Sequence, residues 1–498
     1  MCVLSLTACA VGPNYSRPAA PVPTKFKELA GLKGWKLATP RDALDRGDWW
    51  APYRDKKLDL LMRQVEVSNQ TVAAQAAAYE EARAVIREAQ AALFPTLTAN
   101  YTYTRTRTGP NALGGGGSGG GNNGHGIYTT TFVPQLSASW DLDVWGKVRR
   151  QIEANTAAAQ ASAADLANVK LSEQAMLATA YFNLRAMDAL RSLLSRTIAE
   201  YNKTYTIVNN QFKAGYGPPS GGAAGGITQG DVAAAKAQIL VARGQYLNAG
   251  VQRAQYEHAI AMLIGRAPAE LTIAPFPLSG IAPKIPVTVP STLLERRPDI
   301  ADAERTMQQE NALIGVAEGA FYPDISLSGM LEWIGKNPLP FNVANEVWSL
   351  GAAASEPILE GGLRSAELDQ ARATYWQSVA DYRQTVLTAF QGVEDELAAV
   401  HLYTRQLAVD DEAARQERIA VSVYENQLNS GLISYTTVAT AQLTLLADEE
   451  AALTARQDLF LASVLLIEDL GGSWDTTLLP TQKELQQSFS VLPQLPTQ

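Results

Sequence analysis

The chain has 498 residues, of which 18% are charged, with a formal net charge of −9 and near-neutral mean hydropathy. No basic block is available to neutralise phosphates, which argues against nucleic acid as a partner, and no stretch approaches the roughly 20 apolar residues of a membrane-spanning helix. The two cysteines, Cys2 and Cys9, both lie at the N-terminus, so the body can build no disulfide framework, zinc site or thiol chemistry.

Residues 1–8 form a short apolar run that ends in small residues before Cys9, which reads as the tail of a secretory signal. Such a leader opens with basic residues, so a start upstream of Met1 is expected. Leu6-Thr7-Ala8-Cys9 resembles a bacterial lipobox. That resemblance implies a diacylglycerol thioether on Cys9 and an acylated amine, an anchor worth about 0.8 kcal/mol per buried CH₂. Ala10 stands where an Asp would retain such a lipoprotein at the inner membrane, which favours the outer membrane. Residues 9–39 read as an extended, lipid-anchored segment.

Beyond it, one ordered set of landmarks occurs twice. Phe94-Pro95 matches Tyr322-Pro323, Gly146 to Arg149 matches Gly361 to Arg364, Gln211 to Gly215 matches Gln427 to Gly431, and Ala261 to Gly265 matches Ile467 to Gly471. The offset falls from 228 residues to about 215 and then 206, because the first half carries two glycine-rich inserts. The repeats therefore span 40–270 and 271–474, with a tail over 475–498 expected to be equatorial or disordered.

In the first repeat a strand hairpin is predicted over about 96–143. Leu97, Ala99, Tyr101, Tyr103, Arg105 and Arg107 alternate with Thr and Asn, and Phe132, Pro134, Leu136, Ala138, Trp140 and Leu142 alternate with polar residues. A transmembrane β-barrel strand has this period of two. A soluble sheet with one wet face gives the same local pattern, but Tyr and Trp near the strand ends and the paired arginines favour a membrane. Leu113 to His125 reads as an exposed glycine-rich loop, without the Lys-Ser/Thr ending of a phosphate cradle.

From 147 to 213 no proline or interior glycine interrupts the chain, so a helix of roughly 100 Å is predicted. Leu194, Ile198, Tyr201, Tyr205, Val208 and Phe212 carry coiled-coil spacing along it. A returning helix follows over about 228–264. The second repeat predicts a helix over about 297–320, a hairpin over about 324–358, a long helix over about 363–429 and a return over about 436–470. Ile325, Leu327, Leu331 and Trp333, then Trp348, Leu350, Ala352 and Ala354, carry its strand period, and Val386, Phe390, Val393, Leu397 and Val400 its helical seam. Gly392 is the interior weak point of that helix. Four strands per chain cannot close a membrane barrel, which takes about eight, so closure requires an oligomer.

Leu293-Leu-Glu-Arg-Arg-Pro-Asp-Ile300, Ile314-Gly-Val-Ala317 and Phe321-Tyr-Pro323, with Val11-Gly-Pro-Asn-Tyr15 behind Cys9, resemble the TolC-like outer-membrane efflux proteins, in their lipoprotein (NodT- or OprM-type) branch. The resemblance covers Cys9 to about Trp474. It implies a mainly α fold with a β-barrel portion, in which three chains close a twelve-stranded barrel above a coiled-coil periplasmic tunnel. Segments 40–68, 266–296 and 471–488 would form a belt around it. Arg296 to Asp299 reads as a capped helix start with a structural role.

The same resemblance implies a passive exit duct, in a homotrimer that works with a periplasmic adaptor protein and an inner-membrane pump of the resistance-nodulation-division type. Helical tips would dock the adaptor: Ala214, Gly215, Tyr216, Ile227 and Thr228 in the first repeat, and Ser430, Gly431, Leu432, Ile433 and Ser434 in the second. The first tip departs from the family pattern by an insert of Gly, Pro, Ser and Ala after Tyr216. Family channels often carry an acidic ring just inside the tip. Here those positions hold Thr437 and Thr440, with Glu425 the nearest acid, and these are the gate candidates.

No enzyme chemistry is expected. His125, His258 and His401 have no metal-ligand spacing, and no catalytic elbow, dinucleotide fingerprint or P-loop occurs; no cofactor is implied. The rival readings are the duct of an ATP-driven exporter, a stand-alone diffusion porin, and a non-conducting structural envelope protein.

Overall fold

The computed structural model describes residues 10–23, 25–28, 48–109, 127–215, 226–285 and 293–486. Cys9, Tyr216, the loop at 113–125 and the end of the tail at 487–498 lie outside the described residues. The first repeat runs α1 (Lys56–Ser68), α2 (Gln70–Ala91), β1 (Thr96–Thr108), β2 (Ile127–Leu142), α3 (Lys147–Lys213) and α4 (Gln229–Leu263). The second runs α5 (Leu293–Arg296), α6 (Pro298–Gly319), β3 (Asp324–Trp333), β4 (Glu346–Ser355), α7 (Leu363–Asn429) and α8 (Tyr435–Asp469), followed by α9 (Gln482–Gln486). Both long helices have 67 residues and both returning helices 35, so the duplication is metrically close.

Local chemistry sets the ends. Asp55 caps α1 by accepting from the Lys57 and Leu58 amides at 2.8 and 3.2 Å, which satisfies donors that the first turn leaves open. Thr228 and Asp231 form a reciprocal capping box on α4. At α6 the N-cap is Arg297, whose side chain makes no cap bond. Asp299 instead holds Arg297 at 2.9 Å and accepts from the Ile300 amide at 2.9 Å.

The two repeats are keyed alike at their roots. Asn69, at the α1–α2 break, donates to the Leu263 carbonyl at 2.8 Å, and Arg297, at the α5–α6 break, donates to the Asp469 carbonyl at 2.8 Å. Two residues beyond those carbonyls stand Gly265 and Gly471, at φ 67° and 85°. A Cβ there would meet the Ser68 carbonyl oxygen at 2.0 Å and that of Arg296 at 1.9 Å, so both returning helices end in a left-handed turn that only glycine fits.

The four strands form one antiparallel sheet in the order β1-β2-β3-β4. The main core lies at the waist, where Phe26, Trp49 and Trp50, α1, the middle of α3, the end of α4, the middle of α7 and the second half of α8 meet. The seam residues Leu194, Val208, Val386, Val393 and Leu397 are fully buried, whereas Phe212 is 41% exposed. The tail is described as far as Gln486. Up to 486 it is packed, with Leu485 of α9 buried against Ile86 and Ala159 and the Pro480 carbonyl accepting from Gln160; an apolar residue one turn into a short amphipathic segment is enough to seat it.

Candidate functional site

The register converts alternation into faces. Leu97, Ala138, Gly329 and Leu350 form one row across the sheet, and Ala99, Leu136, Leu331 and Trp348 the next. Between them runs a mainly polar row, Thr98, Ser137 and Ser349 with Met330 among them. The apolar rows stand out from the chain, with Leu97 at 69% and Leu350 at 81% exposure. Strands β1 and β4 each pair on one side only. An open edge beside an unburied apolar face is unstable in isolation.

Aromatic side chains gather at both ends of the sheet. At the helical end Trp145 stacks on Tyr322 at 4.9 Å and donates to the Pro323 carbonyl at 2.9 Å, while Trp140 donates to the Leu93 carbonyl at 3.0 Å. At the far end Tyr103 packs on Phe132 at 5.1 Å, and the guanidiniums of Arg105 and Arg107 lie 5.2 and 5.7 Å from the Tyr128 ring. Amphipathic rings at two levels around an apolar band are the arrangement of a membrane barrel. Among the described residues no helix is long and apolar enough to cross a membrane.

The N-terminal segment begins at the same level. The Val11 amide donates to the Trp145 carbonyl at 3.0 Å. Arg150, 4% exposed, donates to the carbonyls of Val11 and Gly12 at 3.0 Å each and to Asn14 Oδ1 at 2.9 Å. Farther down, Arg17 donates to the Tyr382 hydroxyl at 3.1 Å, and the Glu394 carboxylate accepts from the Glu28 amide at 3.0 Å. Residues 10–23 and 25–28 thus strap α3 to α7 from the barrel base to the waist, and Ala10, next to Cys9, sits beside the girdle.

At the opposite end the two helical hairpins converge. Ala214 and Ser430 cap α3 and α7, followed by Gly215 and Gly431 in left-handed turns at φ 78° and 69°. Ile227 is 5% exposed and joins Val208, Leu428, Tyr435 and Val438 in a small core, with Ile433 packed against it. The Tyr435 hydroxyl donates to Gln238 at 2.9 Å, and Gln211 donates to the Leu428 carbonyl at 2.9 Å. Leu432 is 74% exposed at the extreme tip. Ser434 stands at the N-cap position of α8 without a side-chain cap bond, its hydroxyl 3.3 Å from that of Thr437.

Of the three gate candidates, Thr437 and Thr440 lie one turn apart on α8, and Glu425 lies on α7. Thr437 and Thr440 are exposed, and the Thr440 hydroxyl donates back to the Thr436 carbonyl at 2.9 Å. Glu425 turns toward the neighbouring helices, where Gln442 of α8 donates 2.8 Å bonds to Glu425 and to Thr204 of α3. The Tyr201 hydroxyl donates to the Gln442 carbonyl at 3.3 Å. Nearby, desolvation first and then Glu425 and Glu449 push the Glu200 carboxyl above its ordinary range. Gln442, Thr204 and Glu200 escaped sequence reasoning, since they come from helices far apart in the chain and share no motif; a buried glutamine within the seam of α8 was the available signal.

The comparisons with known proteins fit this geometry. A family model described as outer membrane efflux protein matches residues 61–266 and 289–472. The chain is 28% identical over 473 residues to the cation efflux system protein CusC of Escherichia coli, covering 94% of this chain and 97% of that protein. It is also 28% identical to the toluene efflux pump outer membrane protein TtgI of Pseudomonas putida, over 95% of this chain and 97% of that protein. Among solved structures, the outer-membrane channel OprN aligns with a TM-score of 0.82 at 25% identity, covering 93% of this chain and 99% of that one. The open state of the Neisseria gonorrhoeae outer membrane channel MtrE aligns at 0.79 and 26% identity, over 94% and 99%.

Proposed function

The chain belongs to the outer membrane efflux protein family, and on that premise we propose that it is the lipid-anchored, homotrimeric exit duct of a tripartite pump whose inner-membrane engine is of the resistance-nodulation-division type. The family role is an outer-membrane efflux channel that extends into the periplasm; the trimer, the anchor, the engine and the docking residues are the finer reading. The observation that carries it is the sheet with two unpaired edges and an uncovered apolar face. Three copies closing edge to edge pair every strand and present the apolar rows to lipid, which removes both liabilities at once.

Cys9 would carry the lipid, supported by the strap that delivers Ala10 to the barrel base. The tips at Ala214 to Thr228 and Ser430 to Ser434 would dock the adaptor, supported by their shared core and by the exposure of Leu432. CusC is named for cations and TtgI for toluene, so a common duct serves unlike cargoes, and selection belongs to the partner pump. The duct itself performs no covalent chemistry.

Single-channel recording of the reconstituted protein tests the duct. Conductance by cross-linkable trimers is expected, and a non-conducting trimer would overturn it. A photo-crosslinker at Leu432 should capture an adaptor in cells; capture of an ATP-driven exporter's adaptor would replace the engine assigned here. Palmitate label lost on Cys9→Ser supports the anchor, and retained label removes it.

A further inference from the structure

At the waist a cavity of about 1100 Å³ opens between the segment leading into α1 and the connector after α4. Its apolar wall is aromatic. Tyr53 lies 5.0 Å from Phe182 and 6.3 Å from Phe460, and the two phenylalanines lie 4.9 Å apart. Phe276 stands at the mouth, 60% exposed.

Cations outnumber acids in the lining. Arg54, Lys56 and Lys57 face the cavity, and none of them is ion-paired with a carboxylate among the described residues. Arg185 joins them from α3; it is 6% exposed, and its Nε has no hydrogen-bond partner. Its Nη1 holds the Ala274 carbonyl at 2.9 Å and pairs with the buried Asp188 at 3.5 Å, and its Nη2 holds the Tyr181 hydroxyl at 2.8 Å, so the positive charge open to an occupant is that of Arg54, Lys56 and Lys57. Asp55 is the sole acid of the lining, and both its oxygens are taken, one by the α1 amides and the other by the Tyr181 hydroxyl at 2.5 Å.

These cations are placed against local preference. Lys56 and Lys57 occupy the first turn of α1, where the helix dipole disfavours positive charge. Arg54 is the one non-glycine residue with positive φ among the described residues, at 53°, a conformation that costs free energy. The Lys57 and Leu58 amides are already satisfied by Asp55, so an anion here would be held chiefly by side chains.

We propose that the cavity binds an amphiphilic organic anion, its charged end on Arg54, Lys56 and Lys57 and its apolar body against Tyr53, Phe182 and Phe460. A concave site with an aromatic wall and a few convergent polar groups is the usual form of a small-molecule pocket. The occupant would touch residues 52–57, the connector between the repeats and Phe460 of the second repeat, and so brace the two halves at the waist. The site lies within one protomer and does not depend on the duct.

Equilibrium dialysis of the detergent-solubilised full chain against naphthalene disulfonate, a water-soluble aromatic dianion, tests this. Saturable binding of one probe per chain is expected, weaker at higher salt, with a rise in the thermal midpoint. Inorganic sulfate should compete poorly and neutral naphthalene diol should not bind. Replacing the rim cations together, Arg54→Gln, Lys56→Gln and Lys57→Gln, should weaken binding about tenfold, and it relieves the α1 dipole instead of damaging the fold. Phe276→Asp, at an exposed position, should weaken it independently. Unsaturable uptake, equal binding of the diol, or unchanged affinity in both variants would overturn the proposal.

Discussion

Gly392 lies within α7 where the Asp469 carboxylate presses in. An added Cβ would lie 2.6 Å from that carboxylate, which also receives Arg297 at 2.9 Å. In an open helix Gly→Ala is favourable by about 1 kcal/mol; here overpacking reverses the sign. Gly392→Ala should destabilise the channel by about 1–3 kcal/mol, read as a lower thermal midpoint, and a raised midpoint would refute the packing account. Nearby acids respond to pH. Burial first, then Asp165 and Asp299, raises Asp302 from 3.8 to about 7, while burial, then Asp469 and Asp395, raises Glu396 from 4.5 to about 7. The folded state therefore holds protons that the unfolded chain releases. Their contribution to stability is greatest below about pH 4 and is lost as the pH rises through about 7. Asp302→Asn should flatten the fall in thermal midpoint across that window, and an unchanged slope would exclude this residue. Sequence exposed Gly392 as an anomaly; the carboxylate that makes it necessary comes from a helix more than 70 residues away.

At the scale of elements, the helices and strands were readable because each carries its own period. An uninterrupted run from Lys147 to Lys213 and a strict alternation from Thr96 to Thr108 need no partner to be recognised. Side-chain bridges between helices were not readable in this way. Gln442 joins α8 to α3 and α7 through Thr204 and Glu425, and its amide holds the two hairpins together just inside the tip. Gln442→Ala should loosen that end, giving a higher conductance in reconstituted bilayers and greater sensitivity of cells to bulky antibiotics. Unchanged conductance would mean that another contact holds the tip. Removing a hydrogen-bonded buried amide costs about 1–3 kcal/mol, so the trimer should survive and the effect should be local to the tip.

Across the whole molecule, the sheet and the open edges set a requirement on assembly. Leu350 lies on the outward apolar row and Ser349 on the alternate face. Leu350→Arg should cost about 2–4 kcal/mol at mid-membrane depth and reduce the yield of heat-resistant trimer on gels, whereas Ser349→Arg should leave assembly intact and alter ion selectivity. Equal effects from the two would mean that the faces are misassigned. The sequence by itself determined the fold class, the duplication, the strand faces and the need for more than one chain, since periodicity, proline and glycine placement and strand count are local or additive properties. Only the tertiary structure decided that both repeats are keyed by a glycine against a carbonyl, that the N-terminal strap meets the barrel base, that Glu425 is bound by Gln442, and that Arg54, Lys56 and Lys57 line one aromatic cavity. Each of these joins residues distant in the chain, and such meetings are set by packing, to which no local pattern has access.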